Sequence, residues 1–283
     1  MKYLFTKSIR SVKGINFLWL VSLVFVLLII IIPLIVLFKF SISDNSSLFP
    51  PIPLWPHHPD FSQYKELLGS RSFIMAAFYS LEIALLTVLL SLITGAPVAY
   101  VLSRLKVPGI SIIIFFILAI RFFPGICSVV PVVEFFSNPV FNLLPVVIKV
   151  VLAHTLLSLP YVIFMCQGVF DAIPVELEEQ ALILKAGRFY TFIHIVVPIA
   201  RTGIAAAAIY VFLLSWNEFV FSYFLMFQST TVTLPVFLFK KIVWTPQLNY
   251  LAAISVCLSV PVILFTFIIQ KQIVMGATEG SSK

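Results

Sequence analysis

Apolar residues in this chain come in long blocks, with short polar stretches between them. The first block runs from Phe17 to Phe38 and is interrupted only by Ser22 and Pro33. It is long enough to cross a bilayer core, which needs about 20 residues. Further blocks near 75–102, 110–132, 146–168, 203–227 and 250–270 predict five more spans, six in all. Pro33, Pro97, Pro124, Pro131, Pro160 and Pro261 fall inside these blocks. Membrane helices tolerate proline because neighbouring groups satisfy the freed carbonyl, so these prolines predict bends. The pattern divides the chain into a basic N-terminus (1–16), a first span (17–38), an outer loop (39–72), a helical core (73–271) and a tail (272–283). Within the core, the stretch 170–202 is too long for a turn and too polar for a span. The fold class predicted is an all-α membrane protein.

Composition makes a soluble alternative untenable. Of 283 residues, 61% are apolar and 10% charged, against about 25% charged in an ordinary soluble domain. The mean hydropathy is +1.13. The net charge of +7 lacks the clustered, aromatic-interleaved basic patch of a nucleic-acid surface, so no nucleic-acid partner is expected. The cations instead set an orientation. Lys2, Lys7, Arg10, Lys13, Arg104, Lys106, Lys185, Arg188, Arg201, Lys271 and Lys283 fall on one side of the six-span scheme. Fewer, namely Lys39, Lys65, Arg71, Lys240 and Lys241, fall on the other. The positive-inside bias places both termini in the cytoplasm. The basic start and the long first block lack a cleavage site and read as a retained signal anchor. The outer loop carries Pro50, Pro51, Pro53, Pro56 and Pro59 with Trp55 and cannot form a continuous helix. It reads as an ordered or interfacial connector. Cys127, Cys166 and Cys257 are far apart within apolar stretches and read as buried thiols without a disulfide framework.

The stretch 170–202 has structure of its own. Asp171 and Pro174, followed by Glu176, Glu178 and Glu179, mark a helix start, with acids set against the positive end of the helix dipole. Leu177, Ala181 and Leu184 recur at i, i+4 and i+7 and define an apolar face. A second amphipathic piece, Tyr190–Val197, ends at Pro198. On pattern alone, the alternative is an interfacial helix on the inner leaflet.

The segment "ELEEQALILKAGRFYTFIHIVVP" resembles the EAA loop of ABC-importer permeases. Glu179 and Ala181 stand at the motif's Glu and second Ala, and Pro198 at its later Pro. "SWNEF" (Ser215–Phe219), "TLPV" (Thr233–Val236) and the closing Gln270–Gly276 are similar to the carbohydrate-uptake branch, in particular its smaller, maltose-permease-type subunit. The resemblance covers about Tyr79 to Gly276. It implies a type I importer permease fold, with a coupling helix between spans 4 and 5 that docks on a cytoplasmic ATPase. It also implies a plasma-membrane location in a prokaryote. The partners implied are a second homologous permease chain, two ATPase subunits and an extracytoplasmic solute-binding protein, with a di- or oligosaccharide as cargo. ATP and Mg²⁺ are then expected on the ATPase, and no cofactor in this chain. Leu177, Glu179, Ala181, Leu184, Lys185, Gly187 and Pro198 would form the coupling region. Two departures stand out: Gln180 replaces the first Ala, and Lys185 stands where the motif has Gly. A turn there that needs φ > 0 would cost on the order of 1 kcal/mol with Lys. The expectation is that the turn has slipped to Gly187.

Arg121 and Glu218 are ionisable residues at membrane depth, which marks a function or a pairing. One reading places Arg121, Trp216, Asn217 and Glu218 along the translocation path, with indole on sugar face and polar groups on hydroxyls. The other pairs Glu218 with Arg121 as a tie between spans. Glu82 reads as snorkelling to water. His57, His58, His154 and His194 show no metal spacing, and no site motif for an enzyme occurs. A glycerol phosphate or other small polar solute is an alternative cargo. An ion-coupled secondary transporter is a remoter one, which would leave 170–202 without a purpose.

Overall fold

The computed structural model describes residues 17–44, 55–56, 58–105, 109–119, 125–141, 143–244 and 246–280. Arg121, the basic N-terminus, most of the proline-rich connector, His57, Pro124, Lys106 and the last three residues lie outside them. Among the described residues the regular structure is all helical, without strands. The chain divides into two compact units, Met1–Glu66 with Pro246–Cys257, and Leu67–Thr245 with Leu258–Lys283.

In the first unit, α1 (Phe17–Ser41) is apolar on every side, and its large side chains from Trp19 to Phe38 are exposed. A helix apolar all round suits lipid. Its C-terminal end is tied down. Ser41 and Ile42 are buried, the Tyr64 hydroxyl donates to Ser41 Oγ at 2.6 Å, and the Asp60 amide donates to the Ile42 carbonyl at 2.8 Å. Asp60 in turn starts α2 (Ser62–Gly69), accepting from the Ser62 hydroxyl at 2.7 Å and amide at 2.8 Å. These donors hold the Asp60 carboxyl below its usual range.

The second unit is a bundle built on α3 (Arg71–Arg104) and α6 (Val146–Asp171). Small residues let these helices approach. A Cβ built on Gly95 of α3 would lie 2.7 Å from Val162 Cγ1 of α6. Between them run α4 (Ile110–Ala119) and α5 (Gly125–Ser137). α9 (Arg201–Trp216) packs on both long helices, with Gly203 against Val169. Without a hydrophobic drive between helices in lipid, such close backbone contact is what holds spans together. One core cluster joins Ala96 and Ala99 of α3 to Val162, Cys166 and Phe170 of α6 and to Ala207 and Val211 of α9. A second joins Val129 and Phe136 of α5 to Ala153 of α6 and to Phe221. The unit is completed by α10 (Val220–Met226), α11 (Leu234–Trp244) and the later part of α12 (Leu248–Gly280).

Four helices are long and apolar enough to cross a membrane among the described residues: Trp19–Ser41, Arg71–Arg104, Val146–Asp171 and Leu248–Ile268. They coincide with four of the predicted spans. The predicted third span falls on the two shorter helices α4 and α5. The predicted fifth falls on α9 and α10, broken at Asn217–Phe219. α12 continues to Gly280, so the stretch expected to be a tail from 272 is helical as far as that residue. Cys127 is exposed, unlike buried Cys166 and half-buried Cys257, which corrects the expectation of three buried thiols.

The stretch 170–202 folds as two short helices. α7 (Glu176–Ile183) begins after Pro174, as the acids predict. The second is α8 (Arg188–Ile199), whose middle, Phe192–Val196, is π-wound. There the Val197 amide reaches back five residues to the Phe192 carbonyl. Pro198, which has no N–H, follows directly. α8 meets α9 at a bend of 80°.

The turn between α7 and α8 has not slipped. Lys185 has φ +64°, whereas Gly187 has φ −71° and ψ 154° as the cap of α8. The Lys185 amide donates to the Leu182 carbonyl at 2.9 Å and the Ala186 amide to the Ala181 carbonyl at 3.0 Å. These are the paired bonds of a Schellman ending, which needs a left-handed residue at the position Lys185 occupies. The exposed carbonyls of α7 therefore fix the turn, and the side chain at 185 tolerates it. Lys185→Gly is expected to raise stability by about 1 kcal/mol, read as a higher melting temperature in detergent. Gly187→Ala, with nothing within 4 Å of its Cβ, is expected to leave it unchanged.

Candidate functional site

The break in the fifth predicted span creates the first site. Ending α9 at Trp216 and starting α10 at Val220 leaves the first amides of α10 without intrahelical partners. The Glu218 carboxylate supplies them: Oε1 accepts from the Phe221 amide at 2.9 Å and Oε2 from the Ser222 amide at 3.1 Å. The same Oε2 lies 3.0 Å from His154 Nε2 of α6 and 3.3 Å from the Ser222 hydroxyl. An ionised carboxylate only accepts, so Nε2 donates toward it. On its other side, His154 Nδ1 lies 2.8 Å from Ser215 Oγ, and Ser215 Oγ is 3.5 Å from Thr87 Oγ1 of α3. His154 is 1% exposed and Glu218 14% in their side chains. A single polar chain thus crosses the bundle from α3 through α9 and α6 to the α9–α10 break.

Beside this chain opens a cavity of about 1180 Å³ between α5, α6, α9 and α10. Its polar wall is formed by Ser128, His154, Ser158, Asn217 and Glu218, and aromatic rings are offered by Tyr210 and Phe219. Apolar groups such as Leu156, Pro160 and Leu213 line the rest. Exposed Cys127 is on the same lining. Apolar walls with a few convergent polar groups are the usual make-up of a small-molecule site.

The second site is α7 and its surroundings. Glu178 is turned inward and buried. Its Oε1 accepts from Arg104 Nη2 at 2.6 Å and Nε at 2.8 Å, and its Oε2 accepts from the Tyr100 hydroxyl at 2.5 Å. Arg104 Nη2 also donates to the Ile173 carbonyl at 3.3 Å. The Tyr100 ring packs against Phe192 at 4.7 Å and Phe170 at 5.9 Å. The outward surface carries large apolar side chains beside its charged ones: Ile183 is 79% exposed, Leu184 83% and Phe189 80%.

The structure distributes the predicted residues unevenly. Asn217 and Glu218 line the cavity. Trp216 does not: it is buried, its indole N–H donates to the Leu258 carbonyl at 3.0 Å, and it stacks on Phe212. Arg121 lies outside the described residues; among these, the partner of Glu218 is His154. In the coupling region Leu177 and Leu184 face outward, Ala181 is buried and Glu179 is exposed. Pro198 sits two residues before the bend. Sequence reasoning passed over His154, Tyr100, Arg104 and Glu178 as site residues. A lone histidine in an apolar block was a usable signal, since at that depth it needs a partner.

A family model described as the inner membrane component of binding-protein-dependent transport systems matches residues 97–276. The chain is 28% identical over 256 residues to the trehalose transport system permease protein SugB of Mycobacterium tuberculosis, covering 89% of this chain and 92% of that protein. It is 32% identical over 237 residues to the sulfoquinovosyl glycerol transport system permease protein SmoH of Agrobacterium fabrum, covering 82% and 81%. Its fold matches a chain from the crystal structure of a bacterial ABC transporter that imports the acidic polysaccharide alginate. There the TM-score is 0.76 at 21% identity, over 93% of this chain and 97% of that one.

Proposed function

The chain belongs to the family of inner membrane components of binding-protein-dependent transport systems, and from that premise we propose that it carries sugars of di- to oligosaccharide size across the membrane. It is a transport subunit and not an enzyme, with the fold of an ABC importer permease and several membrane helices. Both termini lie in the cytoplasm by the distribution of its cations. A second homologous permease chain completes the path, two ATPase subunits bind ATP and Mg²⁺, and a binding protein delivers the cargo. The observation that carries the reading is the family match, and the glycoside names of its relatives support the sugar class.

The chemistry of the site agrees. A sugar ring has apolar faces and a hydroxylated rim, and the cavity offers aromatic rings at Tyr210 and Phe219 beside polar groups at Ser158, Asn217 and Glu218. The stacking role expected of Trp216 passes to these rings. The exposed apolar end of α7 fits the socket of an ATPase, which gives the loop a purpose that an ion-coupled transporter lacks.

Affinity purification from the native membrane tests the assembly: an ATPase is expected to co-purify, and recovery without one defeats the reading. Leu184→Asp is expected to lower ATPase affinity by about tenfold or more, since one buried leucine is worth about 1.5–3 kcal/mol. A screen of neutral and acidic saccharides against the co-purifying binding protein then identifies the cargo.

A further inference from the structure

Glu178 is the acid of α7 that does not face solvent, although three acids stand in its first turn. Its carboxylate is satisfied by a guanidinium and a phenol that both belong to the last turn of α3. Charge-assisted bonds of this geometry are short and directional. They join an eight-residue helix to a 34-residue one with no loop between the joined ends. Arg104 extends the joint to the Ile173 carbonyl ahead of α7, and the rings of Phe170 and Phe192 brace Tyr100 from α6 and α8. A displacement of α7 therefore acts directly on the end of α3, beside its chain connection to α6 through residues 172–175.

α3 also reaches the cavity. Thr87 stands thirteen positions before Tyr100 on the same helix, about 20 Å along its axis. Its hydroxyl is the first member of the polar chain through Ser215 and His154 to Glu218. We infer that the Tyr100–Arg104–Glu178 cluster is the joint through which movement of α7 is passed into α3 and so to the wall of the cavity. Tyr100 and Arg104 are positioning residues: they act through Glu178, and neither lines the cavity. The inference rests on the reading of α7 as the ATPase-docking helix, and it adds the route by which docking is felt inside the bundle.

The test uses the whole co-purified complex in lipid nanodiscs and the native Cys127 on the cavity lining. Its labelling rate with a fluorescent maleimide is measured without nucleotide and with ATP under Mg²⁺ chelation, alongside ATP hydrolysis in Mg²⁺. In the unaltered complex, nucleotide is expected to change the Cys127 rate about fivefold or more, the size of an ordinary coupling between sites. In Glu178→Gln, Arg104→Gln and Tyr100→Phe, that change is expected to shrink toward none while ATP hydrolysis and subunit recovery persist. The Arg104→Glu/Glu178→Arg double variant is expected to regain the response that Arg104→Glu and Glu178→Arg each lose. A nucleotide response that survives in the single variants overturns the inference. So does loss of the ATPase from Glu178→Gln, which would make the cluster a brace for docking, and so does a double variant as unresponsive as its parents. Absence of an ATPase from the unaltered complex instead defeats the transporter reading, so the two failures are distinguishable.

Discussion

Glu218→Ala is expected to destabilise the protein by about 3–5 kcal/mol, because it removes the charged acceptor of several buried donors. Two amides at the start of α10 lose their acceptor, and His154 Nε2 loses a neighbour that is 3.0 Å away. A buried donor left unmade costs about 1–3 kcal/mol, so two of them already reach the lower part of that range. Water cannot fully compensate, because Glu218 is only 14% exposed. Glu218→Gln keeps one acceptor oxygen but presents an amide N–H₂ to donors, and is expected to cost about half as much. Thermal unfolding of the detergent-solubilised complex measures both. A fall in melting temperature no larger than that of a surface substitution such as Lys65→Ala would remove Glu218 from its role at the helix break.

Gly203→Ala is expected to cost about 3 kcal/mol through overpacking. The added Cβ would stand 2.2 Å from Val169 Cγ2, 2.8 Å from Cγ1 and 3.0 Å from Cβ. Both branches of the valine are in the way, so no rotamer change relieves the contact and α9 must retreat from α6. The double variant Val169→Ala/Gly203→Ala is expected to recover most of the loss, and Gly168→Ala, with nothing within 4 Å of its Cβ, to show none. Equal melting temperatures for Gly203→Ala and Gly168→Ala would mean that the helices do not meet at this point.

The helices legible in the sequence were those whose apolar blocks continue without a charged residue near the middle, α1, α3, α6 and α12. The break between α9 and α10 was not legible. Trp216-Asn217-Glu218 reads as a polar insertion in a span, and what turns it into a break is a carboxylate capping the next helix while held by a histidine 64 positions earlier. Glu178 was hidden for the same reason. Three acids in one turn look alike until Arg104, 74 positions away, selects one of them. The turn at Lys185 failed differently. Residue preference favoured Gly187, but the hydrogen bonds ending α7 outweighed a cost of about 1 kcal/mol in one residue. The EAA-like segment was legible as a pair of short helices because its acids and its Pro198 are local signals.

The π-wound turn at Phe192–Val196 holds one residue more than an α-helix would use over the same rise. That surplus sets the rotational phase between the exposed apolar residues of α7 and α8 and the buried stripe that begins with Phe192 and Val196. Phe189, ahead of the surplus, is exposed, and Val196, at its end, is buried. Rewinding this turn as α-helix would rotate one set against the other by roughly one residue's arc, about 100°. The angle between the exposed and the buried faces of this loop is thus a matter of residue counting, decided within five positions of the chain.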